Sequence, residues 1–181
     1  FTFFLALCVP LAWSQELRCT RFYVPYERRP NEARQVAISS DGRYAACADR
    51  SKHLDIWDLR EGQIVATHEE PLTWFESVQF SPQGQIVLMG MGDGSIRQWS
   101  LDSREKTKGW KHHDAPVVAI EFSPNGDKVV TVAKNDTTII QKSGNGEVLK
   151  TLTGTACCVA WTPDSLNLIT GGSDSVQIRD A

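Results

Sequence analysis

Short stretches in which apolar and polar residues alternate recur along this chain, and each of them predicts a β-strand. In one stretch Val78 and Phe80 alternate with polar residues before the turn sequence SPQG, and a second apolar run follows at Ile86–Met91. The sequence GDG at 92–94 turns the chain again, and residues 96–99 run back with the same alternation. Proline fixes φ and glycine tolerates positive φ, so both suit tight turns. The pattern predicts short antiparallel strands joined by hairpin turns.

The turn sequence returns at a nearly fixed interval, which makes the chain a repeat. The four-residue sequences SSDG, SPQG, SPNG and TPDS end at Gly42, Gly84, Gly126 and Ser165, with spacings of 42, 42 and 39 residues. Each repeat holds the strands of one small sheet, which is too thin to bury both of its apolar faces and must stack against its neighbours. A period of about 40–45 residues with four strands is typical of a propeller array.

The ends of the repeats identify a family. Trp57 and Asp58 form the tryptophan–aspartate dipeptide of WD-repeat β-propellers, Trp99 keeps the tryptophan, and Asp180 keeps the aspartate, whereas Gln141 keeps neither. Over about residues 30–181 the chain therefore resembles that family. The resemblance implies an all-β propeller of about four four-stranded antiparallel blades in an incomplete ring, with repeats at approximately 30–70, 71–113, 114–153 and 154–181.

The resemblance also implies a polar set inside each blade, in which a histidine, a hydroxyl residue, a turn aspartate and the tryptophan are hydrogen-bonded. No repeat of this chain holds all four of the residues identified as members. Apolar packing is therefore expected to hold the blades together more than this network does, with His113 making an intra-blade bond. The matching residues are Asp93 and Trp99 in one repeat, His113 in the next, and Thr170 and Asp174 in the last.

The first 14 residues are apolar almost without interruption as far as Trp13, which is too short a run to span a bilayer. Ala12 and Ser14 place small residues where a signal peptidase requires them for a cut after Ser14. We interpret residues 1–14 as a secretory signal peptide and 15–181 as the partial propeller, which predicts a secreted or periplasmic protein. The alternatives are a buried first strand in a cytoplasmic protein and a lipoprotein signal at Cys8.

Residues 15–27 are expected to form a strand that closes the last blade of the ring. Closed rings usually hold four to eight blades, and about seven blades at this period need roughly 300 residues. We therefore expect the chain to be part of a longer protein.

Charge, composition and missing motifs narrow the classes of function that this chain can have. A formal net charge of −3 disfavours nucleic-acid binding, and 41% hydrophobic with 23% charged residues is typical of a globular protein. The motifs of serine hydrolases and zinc peptidases are missing from the sequence, and its carboxylates recur on turns rather than converging. No catalytic, cofactor-binding or metal-binding residue is predicted. Cys19, Cys47, Cys157 and Cys158 are interpreted as small buried residues, with their disulfide state left open.

Five residues are candidates for contact with a partner. Trp74 and Trp110 lie on stretches that link one repeat to the next, and large aromatic residues often anchor interfaces. The basic run around Lys108, Lys111 and His112 could hold an anionic partner, although charged residues also protect the edge strands of sheets. Packing between blades is the alternative for both tryptophans, and Phe75 is expected to pack inward.

These observations favour a non-catalytic scaffold of the WD-repeat type, exported from the cytoplasm, that binds a protein or peptide. No nucleic-acid partner, membrane span or cofactor is predicted. The alternative is an enzyme built on a full propeller, with a site in the central channel contributed by blades that this chain lacks.

Overall fold

The computed structural model describes residues 6–8, 19–21, 33–49, 52–103, 105–154, 158–172 and 176–181, and their regular secondary structure consists of strands. The strands form five antiparallel sheets, and the all-β prediction is confirmed. A two-stranded sheet comes first. The first blade is β3–β6, the second β7–β10, the third β11–β14 and the fourth, described as three strands, β15–β17. The strands are β1 Ala6–Cys8, β2 Cys19–Arg21, β3 Ala33–Ile38, β4 Tyr44–Asp49, β5 His53–Asp58, β6 Gln63–Glu69, β7 Phe75–Phe80, β8 Ile86–Met91, β9 Ser95–Ser100, β10 Glu105–Lys111, β11 Val117–Phe122, β12 Lys128–Ala133, β13 Thr137–Lys142, β14 Val148–Thr153, β15 Cys158–Trp161, β16 Asn167–Gly171 and β17 Val176–Asp180.

The repeated turns have the backbone conformation that their glycines predict. Gly42, Gly84 and Gly126 have φ values of 68°, 74° and 82° between the first and second strands of their blades. In the fourth blade Ser165 occupies the same place with φ 62°, although a side chain makes this left-handed region unfavourable. The turn therefore keeps its shape after glycine has been lost.

Adjacent blades pack through three apolar clusters, one at each seam between two blades. Leu54 and Ile56 of the first blade pack with Phe75, Met89 and Trp99 of the second. The second seam joins second-blade residues such as Leu88 to third-blade residues such as Val129, and the third joins Val130 to Trp161 and Leu168. This side-by-side packing buries the faces that a single thin sheet leaves exposed.

We call the first strand of each blade, β3, β7, β11 or β15, its inner strand. Hydrogen bonds between the inner strands hold successive blades in register. The amide of Val78 donates to Oε1 of Gln35 at 2.8 Å, and the Ser77 hydroxyl donates to the carbonyl of Val117 at 2.7 Å. Indole Nε1 of Trp161 donates to the carbonyl of Glu121 at 3.3 Å. Each bond uses a backbone group of an inner strand that has no further described strand beside it, so side chains of the neighbouring blade satisfy part of this edge.

The amino-terminal segment is described only at β1 and β2, which pair with each other. A strand was expected in 15–27 and β2 lies there, paired in this structure with β1. Its expected role in closing the last blade of the ring stays a prediction. Residues 1–5 and 9–14 lie outside the described residues. The signal peptide at 1–14 therefore stays a prediction.

Candidate interaction surface

Four connections lie at one end of the blades and form a surface that we call the joining end. They are the links between blades at 70–74 and 112–116 and the turns at 92–94 and 134–136. Antiparallel strands that follow one another return the chain to this end after every second strand, so links and turns meet there. Contact is direct, because the amide of Gly92 donates to the carbonyl of Trp74 at 2.9 Å.

Trp74 lies on this surface with 41% of its area exposed. Its ring rests against Gly92, where an added Cβ would come within 2.3 Å of ring atom Cε2. Indole Nε1 donates to Oε1 of Glu76 at 2.8 Å. The ring is therefore fixed in orientation while much of its surface faces solvent, which suits a residue that anchors a partner.

Leu72 was not predicted as a contact residue, yet it is 86% exposed two residues before Trp74. The link that carries it is tied to the first blade, because Nζ of Lys52 donates to the carbonyl of Pro71 at 2.7 Å. An apolar side chain in so open a position gains nothing from packing within the chain. Leu72 and Trp74 together form the apolar part of the joining end.

Trp110 has a different environment. It packs against the apolar cluster of the second seam, and its ring lies over Gly146, where an added Cβ would be 2.6 Å from ring atom Cδ2. Its Nε1 is buried without a hydrogen-bond partner. Of the two predicted tryptophans, Trp74 is thus the more exposed, and Trp110 serves the packing of the second and third blades.

The basic candidates lie along or just after β10. Lys111 is exposed, and Nε2 of His112 is 2.8 Å from the carbonyl oxygen of Gly146 in the third blade. Lys108 lies in β10, with its side chain outside the described part of the chain. His112 lies in the 112–116 link of the joining end and Lys111 precedes it directly, pairing with Ser95 beside the 92–94 turn.

Asp93 lies beside Trp74 on the turn that carries Gly92. Burial favours its neutral form, but hydrogen bonds from the hydroxyl and amide of Ser95, with the charges of Arg97 and Lys111, outweigh burial and lower the pKa of this carboxyl. Asp93 therefore stays anionic and holds the turn beneath the Trp74 ring in shape.

His113 makes the buried intra-blade bond that the family resemblance predicts. Its Nε2 is 2.8 Å from Oγ1 of Thr131, which itself donates to the carbonyl of Ile139 at 3.4 Å. The other ring nitrogen of His113, Nδ1, is buried without a hydrogen-bond partner. Burial, followed by the charge of His112, lowers the pKa of His113 to about 4, while Asp114 opposes the shift.

Gln141 stands in the third blade where the second blade has Trp99. Its side chain is fully buried, and neither Oε1 nor Nε2 has a hydrogen-bond partner. A buried amide without partners costs free energy that an indole ring at the same place avoids.

A cavity of about 230 Å³ opens between the first and second blades, away from the joining end. Nε of Arg43 donates to Oδ2 of Asp58 at 3.1 Å on its wall, and Trp99 and Leu101 line its apolar side. Burial favours the neutral form of Asp58, but hydrogen bonds from Arg43 and from the amides of Arg60 and Glu61 outweigh burial and lower the pKa of this carboxyl. The Arg43–Asp58 ion pair therefore lies at the end of β5, the strand that finishes with the Trp57–Asp58 dipeptide.

Among the described residues, no group of three or more His, Cys, Asp or Glu side chains lies close enough together to hold a metal ion. A search of the same residues finds no helix with the length and apolar character needed to cross a membrane.

Comparison with known proteins decides the family. The model of the WD domain, G-beta repeat, matches residues 62–100, 104–140 and 146–180. The chain belongs to the WD40 repeat family. Each match takes the outer strand of one blade and strands of the next blade, beginning with β6, β10 and β14. The sequence repeat is thus offset by one strand from the structural blade.

Several curated proteins are similar to this WD40 chain. A WD repeat-containing protein of Synechocystis is 28% identical over 74% of this chain, and WD repeat-containing protein 90 of Mus musculus is 32% identical over 76%. Eukaryotic translation initiation factor 3 subunit I of Emericella nidulans is 29% identical over 55%. The alignments cover 39%, 8% and 30% of those proteins, respectively, so the chain spans well under half the length of each.

Proposed function

We propose that this chain is a non-catalytic protein-interaction scaffold that binds a protein or peptide at the joining end. The observation that carries the proposal is the exposed pair formed by Leu72 and Trp74, of which Trp74 is fixed in orientation by Gly92 and Glu76. Binding energy at protein interfaces is concentrated in a few large side chains that fill pockets of the partner. Membership of the WD40 family supports a role in protein interaction.

The rigidity of this end supports the same role. Fixing a flexible side chain on binding costs about 0.5–1.5 kcal/mol, and Trp74 is already held by its ring contact and its hydrogen bond. The link that carries Leu72 is likewise held by Lys52. A partner that docks here therefore meets an apolar surface that is largely preorganised.

Variants of the joining end test the proposal. Trp74→Ala and Leu72→Ser should each reduce capture of the same partner at least tenfold, measured by affinity capture and quantitative mass spectrometry, because each removes an exposed anchor. Gly92→Ala should reduce capture as well, since the added methyl displaces the Trp74 ring without removing it. Gly144→Ala and Leu166→Ser are the matched controls, because Gly144 has open space around it and Leu166 is exposed elsewhere. Capture that is unchanged in all three joining-end variants would refute the proposed surface.

We further propose that the protein is exported and that residues 1–14 are its signal peptide. The support is the sequence alone: an apolar run to Trp13 and small residues at Ala12 and Ser14. Fusion of residues 1–20 to a reporter should give an exported product that begins at Gln15, and Ala12→Asp should abolish the cut. A reporter that keeps residues 1–14 intact and stays in the cytoplasm would contradict this proposal.

A further inference from the structure

A buried carboxylate lies at the start of the link that carries Leu72 and Trp74. Glu70 is only 4% exposed, and its Oε2 is 3.9 Å from Nε of Arg97 in β9 of the second blade. Nε2 of His68, near the end of β6 in the first blade, is 3.8 Å from the same oxygen. Buried charges in proteins are paired with charges of opposite sign. Arg97 supplies such a partner from across the first seam.

The link into the third blade is attached to its blade in a different way, by the hydrogen bond between His113 and Thr131. The second blade cannot make this bond. Pro71 stands at the place of His113, four residues before the first strand of its blade, and Met89 stands at the place of Thr131. The proline ring has no hydrogen-bonding group, and a thioether sulfur is only a weak acceptor. The link into the second blade therefore needs another attachment.

Glu70 and Arg97 provide that attachment. Arg97 lies two residues before Trp99 in β9, so both side chains are on the strand face that packs against the first blade. In the third blade Ile139 stands at the place of Arg97 and offers no charge. Each of the two links is thus held by one polar pair, which is a hydrogen bond to β12 in the third blade and an ion pair to β9 in the second.

The Arg97 guanidinium also interacts with the turn beneath the Trp74 ring. Burial raises the pKa of Asp93, but hydrogen bonds from Ser95 and the positive charge of Arg97 outweigh burial and lower it. The turn and the link meet at the hydrogen bond from the Gly92 amide to the Trp74 carbonyl. Arg97 therefore interacts electrostatically with a carboxylate on each of the two segments that hold the ring.

We propose that Glu70 and Arg97 are positioning residues, whose ion pair holds the 70–74 link against the second blade and thereby fixes the place of Leu72 and Trp74. Both residues lie at the seam between two four-stranded blades. The anchoring of the link stands on this geometry alone, whereas its effect on partner binding rests on the proposed function.

Hydrogen exchange at the Gly92 amide tests the anchoring, because that amide donates to the carbonyl of Trp74. In Glu70→Gln and in Arg97→Gln the exchange rate should rise by about threefold or more, since each variant leaves the link without its ion pair. The Val78 amide, which is bonded to the first blade at the same seam, should keep its rate. This comparison separates a loosened link from a general loss of stability.

The double variant Glu70→Gln with Arg97→Gln shows whether the two residues act as a unit. It should raise Gly92 exchange no more than the larger of the two single changes, because each single variant already removes the ion pair. Capture of the partner that Trp74→Ala loses should fall in parallel with the rise in exchange, because a displaced link carries its two anchors with it.

Glu69→Gln and Arg60→Gln are the matched controls, because both side chains are exposed, and both should exchange and bind like the unaltered chain. Glu70→Asp, which keeps the charge but shortens the side chain, replaces Glu70→Gln if that variant does not fold. Unchanged Gly92 exchange in the single variants, or effects that multiply in the double variant, would overturn the anchoring whatever capture shows. Raised exchange with unchanged capture would support the anchoring and refute the proposed surface.

Discussion

The first and second seams of this molecule both contain an apolar cluster, but they differ in chemistry at two equivalent strand positions. At the first seam Met89 and Trp99 of the second blade are buried among apolar side chains of the first. At the second seam the corresponding residues of the third blade are Thr131 and Gln141, which pair with Ile139 and Val129 in the same register. His113 joins Thr131 from the link between blades. One backbone plan therefore accommodates either apolar or polar side chains at these two positions.

The difference shows which interactions stabilise each seam and which groups destabilise it. Apolar packing is non-directional, so the apolar cluster of the first seam is stabilised by the burial of area, beside the hydrogen bond from the Val78 amide to Gln35. The second seam leaves Nδ1 of His113, Nε1 of Trp110 and both amide atoms of Gln141 buried without partners. Each such atom costs roughly 1–3 kcal/mol of desolvation that nothing offsets. We therefore expect the second seam to be the weaker of the two and the more sensitive to conditions.

The largest expected effect is at the apolar seam. Phe75→Ala removes a fully buried ring, and we expect the free energy of unfolding to fall by about 3–5 kcal/mol, which combines lost burial with the cavity left behind. Urea denaturation measures the loss, with Leu72→Ala as the control because Leu72 is almost fully exposed. A loss below about 1 kcal/mol would show that the first seam does not hold the blades together.

The second-largest effect is expected on acidification, which weakens the second seam through His113. The pKa of His113 is lowered to about 4 from its ordinary 6.5, so the folded chain binds a proton less readily than the unfolded chain. Its neutral form stabilises the fold fully above pH 6.5, and that contribution is lost as pH falls from 6.5 to 4. The total loss is at most about 3 kcal/mol. Urea denaturation between pH 7 and pH 4 should show a decline that His113→Gln removes, and an equal decline in both proteins would assign it to other groups.

Thr131→Val tests the hydrogen bond between Thr131 and His113, the histidine whose pKa is lowered. The variant keeps the shape of the side chain but leaves Nε2 of His113 without its hydrogen-bond partner, and we expect a loss of about 1–3 kcal/mol at pH 7. Met89→Leu at the corresponding position of the first seam is the control and should change stability less, because no hydrogen bond is involved. Comparable losses in the two variants would mean that volume, and not the bond, matters at this position.

The smallest expected effect is a gain in stability. Gln141→Met replaces a buried amide that has no partners with an apolar side chain of similar volume, and we expect the free energy of unfolding to rise by about 1 kcal/mol. Gln98→Met in the second blade, where the side chain is only half-buried, should change stability little. A destabilised Gln141→Met chain would show that the amide is satisfied within the fold after all.

The sequence predicts the order of strands and turns well, because the conformation of each turn depends on its own few residues. SPQG and its relatives require a positive φ at their last residue, and the structure has it even at Ser165. Lys52 and Asp136 also adopt positive φ, at 70° and 63°, at the place of Gly94 in their blades, and a search for glycine does not find them. Fold class and the burial of Phe75 were thus predictable, whereas these substituted turns were not.

The candidate surface was harder to predict, because exposure depends on what lies across from a residue. Both tryptophans were placed on links between repeats, but only Trp74 lies in a link, where it rests on Gly92, whereas Trp110 lies in β10 and Gly146 of a distant turn lies under it. Leu72 looks like a core residue from composition, and only the path of its link shows that it is exposed. His113 was predicted to make an intra-blade bond, but its partner Thr131 was missed because that blade lacks the tryptophan that marks the set.

Native-state hydrogen exchange tests the central claim most directly, namely that blades of one plan meet through seams of different strength. Protection factors of β4 and β5, behind the apolar seam, should be nearly the same at pH 7 and pH 5. Those of β12 and β13, which carry Thr131 and Gln141, should fall severalfold on acidification as the second seam loosens. Uniform behaviour of all four strands, or a larger fall in β4 and β5, would contradict the account.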